Sequence, residues 1–306
     1  MSYTQSPLPG QSEFGVVLDG FEIGMIDDPK IRKELNELWI DKGLIVFRET
    51  DGLETQMRLS EVFGKSEIHP LLRESTTFSD ADKVSVNIDE EAGGIYEVNG
   101  ETRLGWLAWH KDSMYTDTLN HGGLLWAITV PEKGGETGFI DQIAAYDALP
   151  DDLKRRIEGL DVLYVYSRDS SESRFGEQPD RRIRLSAFQE TSDEAECAKE
   201  RVVHPMVFEQ PQTGRKVINV SPWFADGILG MENEEGDTLL REVISHLVKP
   251  ARTYFHKWTP GEMVLWDNWR MLHCATGTPP GMKRHMRRTT IFGDYALGRM
   301  EEIAAA

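Results

Sequence analysis

The sequence has few of the features that mark secreted or membrane proteins. Its 306 residues include two cysteines, Cys197 and Cys274, which lie in unlike surroundings, and a disulfide framework needs more than that. No run of about 18 apolar residues is present to span a bilayer. The opening segment MSYTQSPLPGQSEF lacks the basic and apolar regions of a secretion signal. We therefore expect reduced cysteines, no membrane partner and a cytoplasmic location.

Positive charge is scarce as well. Lysine and arginine together number 34 against 52 aspartates and glutamates, so the formal net charge is −18. An anionic surface of this kind repels nucleic acid and anionic lipid, and neither is expected as a partner. We expect a single domain over residues 1–306. Segments near residues 65–105 and 168–200 have little regular patterning, and we expect them to be lids or insertions.

Hydrophobic periodicity predicts helices mostly in the front part of the chain and strands in the rest. Roughly four helices and eight strands are expected. The predicted helices lie between Asp27 and Gly43 and at residues 53–63, 144–160 and 235–248. The predicted strands include residues 43–47, 123–130, 138–140, 202–208, 216–220, 253–258, 262–266 and 287–292. This pattern favours an α+β protein with a mainly β core, built as a double sheet or barrel, over a parallel doubly wound fold.

The segment Trp109-His110-Lys111-Asp112 contains the only His-x-Asp of the sequence. In an extended chain alternate side chains point to one face, so His110 and Asp112 could bind one metal ion together. A second histidine would complete a facial triad of two histidines and one carboxylate, which leaves metal positions open for a co-substrate and O2. The alternative is a His-x-Asp on a solvated strand, because short motifs give many false positives.

His273 is the best candidate for the second histidine. It follows the apolar strand predicted at residues 262–266 and a polar, aromatic turn, and we expect its strand to be a neighbour of the strand of His110. The remaining histidines are expected to have structural roles more often than ligand roles; they are His69, His121, His204, His246, His256 and His285.

Arg284 and Arg288 lie four residues apart in a predicted strand, and an even separation places them on one face. Two guanidinium groups directed into a core are tolerated only if they meet carboxylates or sulfonates, to which arginine donates in a bidentate manner. The alternative is a basic strand on the surface of an acidic protein, and spacing alone does not decide between the two.

Several motifs together resemble the iron(II)- and 2-oxoglutarate-dependent dioxygenases of the taurine dioxygenase type. They occur in the order found in that family and the similarity runs from about residue 14 to about residue 295. They are His110-x-Asp112, Gly-Gly-Glu-Thr137, Ala-Ala-Tyr146-Asp-Ala-Leu149, Trp266-Asp-Asn268, His273 and the pair Arg284 and Arg288. The resemblance implies a double-stranded β-helix, or jelly roll, with flanking helices.

The same resemblance implies a role for each matching residue. His110, Asp112 and His273 would bind Fe(II), and Thr137 and Arg284 would hold the distal carboxylate of 2-oxoglutarate. Arg288 would face the acidic group of the substrate. The expected reaction converts 2-oxoglutarate and O2 to succinate and CO2 and hydroxylates a substrate C–H bond.

The sequence restricts the substrate less closely. His69 resembles the histidine that helps to bind sulfonate in taurine dioxygenase, but Trp106 stands where that enzyme has an asparagine. The segment around His110 is closer to the phenoxyacetate-herbicide dioxygenases, and Trp106, Tyr115 and Trp223 could form an apolar slot or belong to the core. We expect a small acid, either an aryloxyalkanoate-like carboxylate or an alkyl sulfonate. Because related enzymes are often dimers or tetramers, a homo-oligomer is expected.

Two other functions are compatible with the same three ligands. A zinc hydrolase would usually add a general-base glutamate, and the sequence has no His-Glu-x-x-His motif. A non-catalytic jelly-roll binding protein would be expected to have lost at least one of the motif residues, and all of them are present.

Overall fold

The structure is a computed structural model that describes residues 3–68, 85–89, 93–186, 189 and 200–302. His69 and Cys197 therefore lie outside the described residues, as do parts of both predicted lid or insertion segments. Within the described part of the chain, no helix is both long enough and apolar enough to cross a membrane.

The described residues form 21 β-strands and five α-helices, numbered here in chain order. The strands are β1 (Thr4–Ser6), β2 (Val16–Asp19), β3 (Leu44–Phe47), β4 (Ser66–Glu67), β5 (Ser85–Asp89), β6 (Ile95–Val98), β7 (Glu101–Leu104), β8 (Leu107–His110), β9 (Gly122–Thr129), β10 (Thr137–Asp141), β11 (Asp161–Tyr164), β12 (Arg181–Arg184), β13 (Val202–Pro205), β14 (Val207–Glu209), β15 (Lys216–Ile218), β16 (Ala225–Ile228), β17 (Tyr254–His256), β18 (Met263–Asp267), β19 (Met271–Ala275), β20 (His285–Ile291) and β21 (Arg299–Met300). The helices are α1 (Pro29–Lys42), α2 (Leu53–Phe63), α3 (Gln142–Asp147), α4 (Asp151–Ile157) and α5 (Glu234–Leu247). The mainly β core with few helices that the sequence predicts is confirmed. The strand count exceeds the prediction because many strands are too short to show a hydrophobic pattern.

The largest sheet has the order β1-β2-β3-β18-β9-β20-β4, and β5 also pairs with β20. Neighbouring residues of one strand point to opposite faces of the sheet. Buried apolar residues of β18 lie on both faces. On β18, Leu265 packs in a cluster with Leu35 and Trp39 of α1. Val264 instead packs with Phe139 of β10. The sheet is therefore covered by helices on one face and by a second sheet on the other.

The second sheet has the order β17-β10-β19-β8. Its residues Phe139 and Met271 share a buried cluster with Leu125 of β9 and Met286 of β20. Two sheets that face each other across one core place the inward side chains of β8, β10 and β19 opposite those of β9, β18 and β20. The residues singled out from the sequence lie on or next to these strands.

The helix predicted at residues 144–160 is wrong as a single element. It is two helices, α3 and α4, and Pro150 caps the second with φ −57° and ψ 143°. Proline has no N–H for a helical hydrogen bond and forces the preceding residue out of the helical region. The break at Pro150 lets α3 and α4 pack against the cluster that contains Ile143 and Leu153.

The strand predicted at residues 202–208 is two strands, and only the second of them pairs with the strand predicted at residues 216–220. β14 pairs with β15, whereas β13 pairs with β11 and β21 in another sheet. The chain changes sheets at Met206, which is fully buried. Pairing of this kind depends on distant strands, and the local pattern does not contain it.

Candidate metal and co-substrate site

His110 and His273 face each other across two neighbouring strands. His110 is the last residue of β8 and is paired directly with His273 of β19. Their ring centroids are 4.3 Å apart. The prediction that these histidines, separated by 163 residues of sequence, lie on neighbouring strands is confirmed.

Asp112 does not lie on the strand, and the extended geometry expected for His110-x-Asp112 is wrong. β8 ends at His110, and the chain turns through Ser113, which has the unusual φ of 60°. The turn still directs the carboxylate to the histidines. Asp112 Oδ1 lies 3.7 Å from His110 Nε2 and 3.6 Å from His273 Nε2.

These three side chains form a group of potential metal ligands in the described residues. One ligand atom from each lies within 4.8 Å of the other two. All three residues are buried, with exposures of 6 to 7%. Two imidazoles and one carboxylate match the donor set of the 2-His-1-carboxylate sites that bind Fe(II).

Hydrogen bonding prepares His110 as a ligand. Its Nδ1 lies 2.7 Å from the carbonyl oxygen of Ala108. A carbonyl can only accept, so Nδ1 carries the proton and the lone pair is on Nε2, the atom nearer Asp112. Burial, reinforced by the neighbouring His273, lowers the pKa of His110 to about 3. The ring is therefore in the neutral form that a metal requires.

Asp112 is ionised despite its burial. Burial alone would raise its pKa, but the positive charge of Arg288, together with the contacts to His273 and His110, outweighs that effect and holds the pKa well below its usual value. Arg288 Nη2 donates to Asp112 Oδ2 over 2.7 Å. Asp112 Oδ1 remains directed at the histidines.

Asn268 fixes the backbone of Asp112. Its side-chain oxygen accepts the N–H of Asp112 at 2.9 Å, and its amide nitrogen donates to the carbonyl of Asp112 at 3.1 Å. The same nitrogen also contacts Asn120. Asn268 is fully buried. The sequence motif Trp266-Asp-Asn268 contained this residue but gave it no role.

Lys111 fixes the same turn from the opposite side. Its ammonium group is fully buried and donates to Asn219 Oδ1 and to the carbonyl of Trp269, both over 2.7 Å. Its backbone N–H donates to Ser221 Oγ over 3.0 Å. Burial lowers the pKa of Lys111 to about 7. A lysine between two polar residues gives no sign of burial in the sequence, and this residue was missed.

The structure also brings Thr137 and Arg284 together. Thr137 begins β10, and Arg284 Nη2 donates to its hydroxyl oxygen over 3.4 Å. Both residues are buried. Arg284 lies just before β20, and the pairing of β20 with β9 shifts between His285 and Met286. Arg284 and Arg288 are therefore not on one regular strand as expected. They nevertheless both reach the space between the two sheets.

The predicted aromatic slot is only partly assembled. Trp223 meets His110 edge-to-face at 5.2 Å and stacks on Phe224 at 4.9 Å. Tyr115 packs on Phe224 at 5.1 Å. Trp106 packs on Tyr96 at 5.6 Å, and the ring contacts of the described residues do not join it to the three candidate ligands. His69 lies outside the described residues.

Other histidines have structural contacts. The Nε2–H of His204 donates a hydrogen bond to the carbonyl oxygen of Thr116 over 2.9 Å. His121 stacks on Trp269 with ring centroids 3.8 Å apart. His256 Nε2 lies 3.3 Å from the buried carboxylate of Glu262.

Comparison with known proteins gives a consistent result. The family model described as "Taurine catabolism dioxygenase TauD, TfdA family" matches residues 4–290. The (S)-phenoxypropionate/alpha-ketoglutarate-dioxygenase of Sphingobium herbicidovorans is 33% identical over 290 residues, which covers 94% of this chain and 95% of the relative. Pentalenolactone F synthase of Streptomyces arenae is 27% identical over 315 residues, which covers 98% of this chain and 99% of the relative.

A solved structure is similar over nearly the whole chain. The crystal structure of AAD-2 in complex with Mn(II) and N-oxalylglycine has a TM-score of 0.73 and 27% sequence identity. The match covers 97% of this chain and 100% of that one. The differently named relatives show that similarity over the whole chain does not by itself identify a substrate.

Proposed function

Because the chain belongs to the TauD/TfdA dioxygenase family, it is a 2-oxoglutarate-dependent dioxygenase, and we propose that His110, Asp112 and His273 are its metal ligands. The observation that carries this proposal is the buried group of two imidazole donors and one ionised carboxylate. Bound Fe(II) and 2-oxoglutarate supply the O2-dependent oxidation that hydroxylates a C–H bond of a small acid and releases succinate and CO2. The comparisons do not favour the zinc-hydrolase and non-catalytic alternatives.

We propose further that the two facing sheets are a double-stranded β-helix. Support comes from the apolar core between them and from the position of the candidate ligands on β8 and β19, next to that core. In this arrangement rigid strands hold His110 and His273, and only Asp112 depends on a turn.

Thr137 and Arg284 are proposed to bind the distal carboxylate of 2-oxoglutarate. A buried guanidinium beside a hydroxyl offers several hydrogen-bond donors to a carboxylate. Their mutual contact of 3.4 Å defines one anion-binding position. The chain thereby orients the co-substrate by its charged end.

Arg288 is proposed to bind the acidic group of the substrate. Its guanidinium lies 5.1 Å over the ring of Trp266 and donates to Asp112. Among the described residues, its buried Nε–H has no hydrogen-bond partner. A carboxylate or sulfonate that accepts this hydrogen bond would be held beside Asp112, and the attached carbon would lie next to the metal site.

The body of the substrate is proposed to pack on Trp223, Phe224 and Tyr115. Trp223 contacts His110 and Phe224, and Phe224 contacts Tyr115. An aryl group suits an aromatic wall, and the phenoxypropionate dioxygenase is a relative at 33% identity. We therefore favour an aryloxyalkanoate-like carboxylate over an alkyl sulfonate. Hydroxylation of a carbon that bears an ether oxygen would give an unstable product that separates into a carbonyl compound and an alcohol.

The substrate proposal can be tested with one matched pair of compounds. Succinate formation is measured with 2-phenoxypropionate and with its neutral amide, which has the same aryl body. Loss of a hydrogen bond to a charged group predicts roughly 10- to 100-fold lower kcat/KM for the amide. Equal values would show that no cationic group recognises the acid. A hexanesulfonate rate that exceeds the phenoxypropionate rate would overturn the preference for the aryl class.

Some predictions made from the sequence remain predictions. They are the single domain over residues 1–306, the lid or insertion segments near 65–105 and 168–200, the cytoplasmic location and the homo-oligomer. His69 also stays a predicted substrate contact, because it lies outside the described residues.

A further inference from the structure

Trp258 contacts the proposed co-substrate site from a segment with no assigned role. It lies between β17 and β18, and its indole N–H donates to Thr137 Oγ1 over 3.0 Å. This bond is shorter than the 3.4 Å contact from Arg284 to the same oxygen. Thr137 is therefore held by two donors from different parts of the chain.

The two donors determine which way the threonine hydroxyl points. A hydroxyl has one O–H donor and two acceptor lone pairs. Trp258 and Arg284 both donate to Oγ1. In the described residues this oxygen accepts twice and its O–H reaches no acceptor. The hydrogen must point away from both donors, so the hydroxyl is available to donate to an external anion.

The indole of Trp258 is itself held in place. It meets the ring of His256 edge-to-face at 4.6 Å. His256 Nε2 lies 3.3 Å from Glu262, and its Nδ1 lies 3.0 Å from the hydroxyl of Tyr254. β17 also pairs with β10, with His256 opposite Thr137. The buried Glu262 carboxylate therefore supports, through His256, the ring that orients the threonine.

We propose that Trp258 is a positioning residue that fixes the Thr137 hydroxyl as a donor and so makes the site select 2-oxo acids with a second carboxylate. This inference rests on the proposed function of Thr137 and Arg284. Without the indole N–H, the hydroxyl can rotate and donate elsewhere, so the bond to the distal carboxylate is weakened. Binding of the 2-oxo acid group, which is at the other end of the molecule, does not use this contact.

The test compares two ligands that differ only in the distal carboxylate. Dissociation constants for 2-oxoglutarate and for 2-oxovalerate are measured by calorimetry on the full-length Mn(II)-loaded protein. Trp258→Phe keeps most of the ring and removes the N–H. We expect a 5- to 10-fold weaker affinity for 2-oxoglutarate, less than the full value of one hydrogen bond to a charged group because that bond is weakened and not removed, and an unchanged affinity for 2-oxovalerate.

Trp126→Phe is the matched control. The Trp126 indole N–H is buried and, in the part of the chain that the structure describes, donates to no acceptor. This substitution should leave both affinities unchanged. Thr137→Val removes the other partner and should reduce 2-oxoglutarate affinity at least as much as Trp258→Phe does. Combining the two should add little, because both remove one coupled interaction.

Each contrary result has a distinct meaning. Unchanged 2-oxoglutarate affinity in Trp258→Phe, or an equal loss for both ligands, would overturn the positioning role. If Trp258→Phe does not fold, an unaltered ligand preference in Thr137→Val would overturn it instead. Failure of the unsubstituted protein to bind either 2-oxo acid would refute the proposed co-substrate site itself.

Discussion

Replacing Asn268 with alanine should weaken metal binding although Asn268 is not a proposed ligand. Its side chain makes two hydrogen bonds to the backbone of Asp112, one to the N–H at 2.9 Å and one from the amide to the carbonyl at 3.1 Å. The turn that contains Asp112 continues into Ser113 at φ 60°, a conformation that an L-residue adopts at some cost. Without Asn268 the turn loses its support.

The magnitude follows from the groups left unpaired. Each of the two buried backbone groups left without a partner costs about 1–3 kcal/mol, so the free energy of unfolding should fall by about 2–6 kcal/mol. Removal of a group that orients a metal ligand typically lowers metal affinity roughly 10- to 100-fold.

The assay is an Mn(II) titration followed by electron paramagnetic resonance, with urea unfolding on the same samples. Asn233→Ala is the control, because Asn233 also accepts two backbone N–H groups, those of Glu235 and Gly236, at the start of α5. It should lose about 1 kcal/mol of stability and no metal affinity. Wild-type Mn(II) affinity in a folded Asn268→Ala protein would show that Asp112 is held in place without Asn268.

Two further predictions concern buried charges. Arg270 and Asp141 form a buried ion pair at 2.7 Å. Arg270→Met leaves the carboxylate unpaired and should lower the free energy of unfolding by about 3–5 kcal/mol. Adding Asp141→Asn to that protein should restore part of the loss, and urea denaturation measures both changes. Burial lowers the pKa of His204 to about 4, below its value in the unfolded chain. Between pH 6.5 and pH 4 the unfolded state therefore binds more protons than the folded state, and stability is lost as the pH falls through that window. From pH 7 to pH 5 this residue should account for a loss of about 2 kcal/mol in the free energy of unfolding. If that free energy fell just as steeply with pH in a His204→Gln protein, the assignment to His204 would be wrong.

The sequence predicted the parts of the site that depend on local patterns. Local apolar patterns indicated the strands of His110 and His273, and the hypothesis that both histidines bind one metal ion correctly predicted that those strands are neighbours. Thr137 and Arg284, predicted from the family resemblance, do meet in the structure.

Distant contacts that neither the metal-site hypothesis nor the family resemblance specified could not be predicted. The turn at Asp112 is held by Asn268, 156 residues later in the chain, and the hydrogen bond between Trp258 and Thr137 spans 121 residues. The interruption at Pro150 differs from these cases. Its signal is local, and the helical spacing of the apolar residues on either side of the proline obscured it.

The central claim is that His110, Asp112 and His273 hold the iron for 2-oxoglutarate-dependent oxidation, and succinate formation tests it most directly. The protein is supplied with Fe(II), 2-oxoglutarate and 2-phenoxypropionate, with and without O2, beside a folded Asp112→Ala variant. We expect O2-dependent succinate from the unsubstituted protein and at least a roughly 100-fold loss in the variant. Full activity in Asp112→Ala would show that Asp112 does not hold the metal.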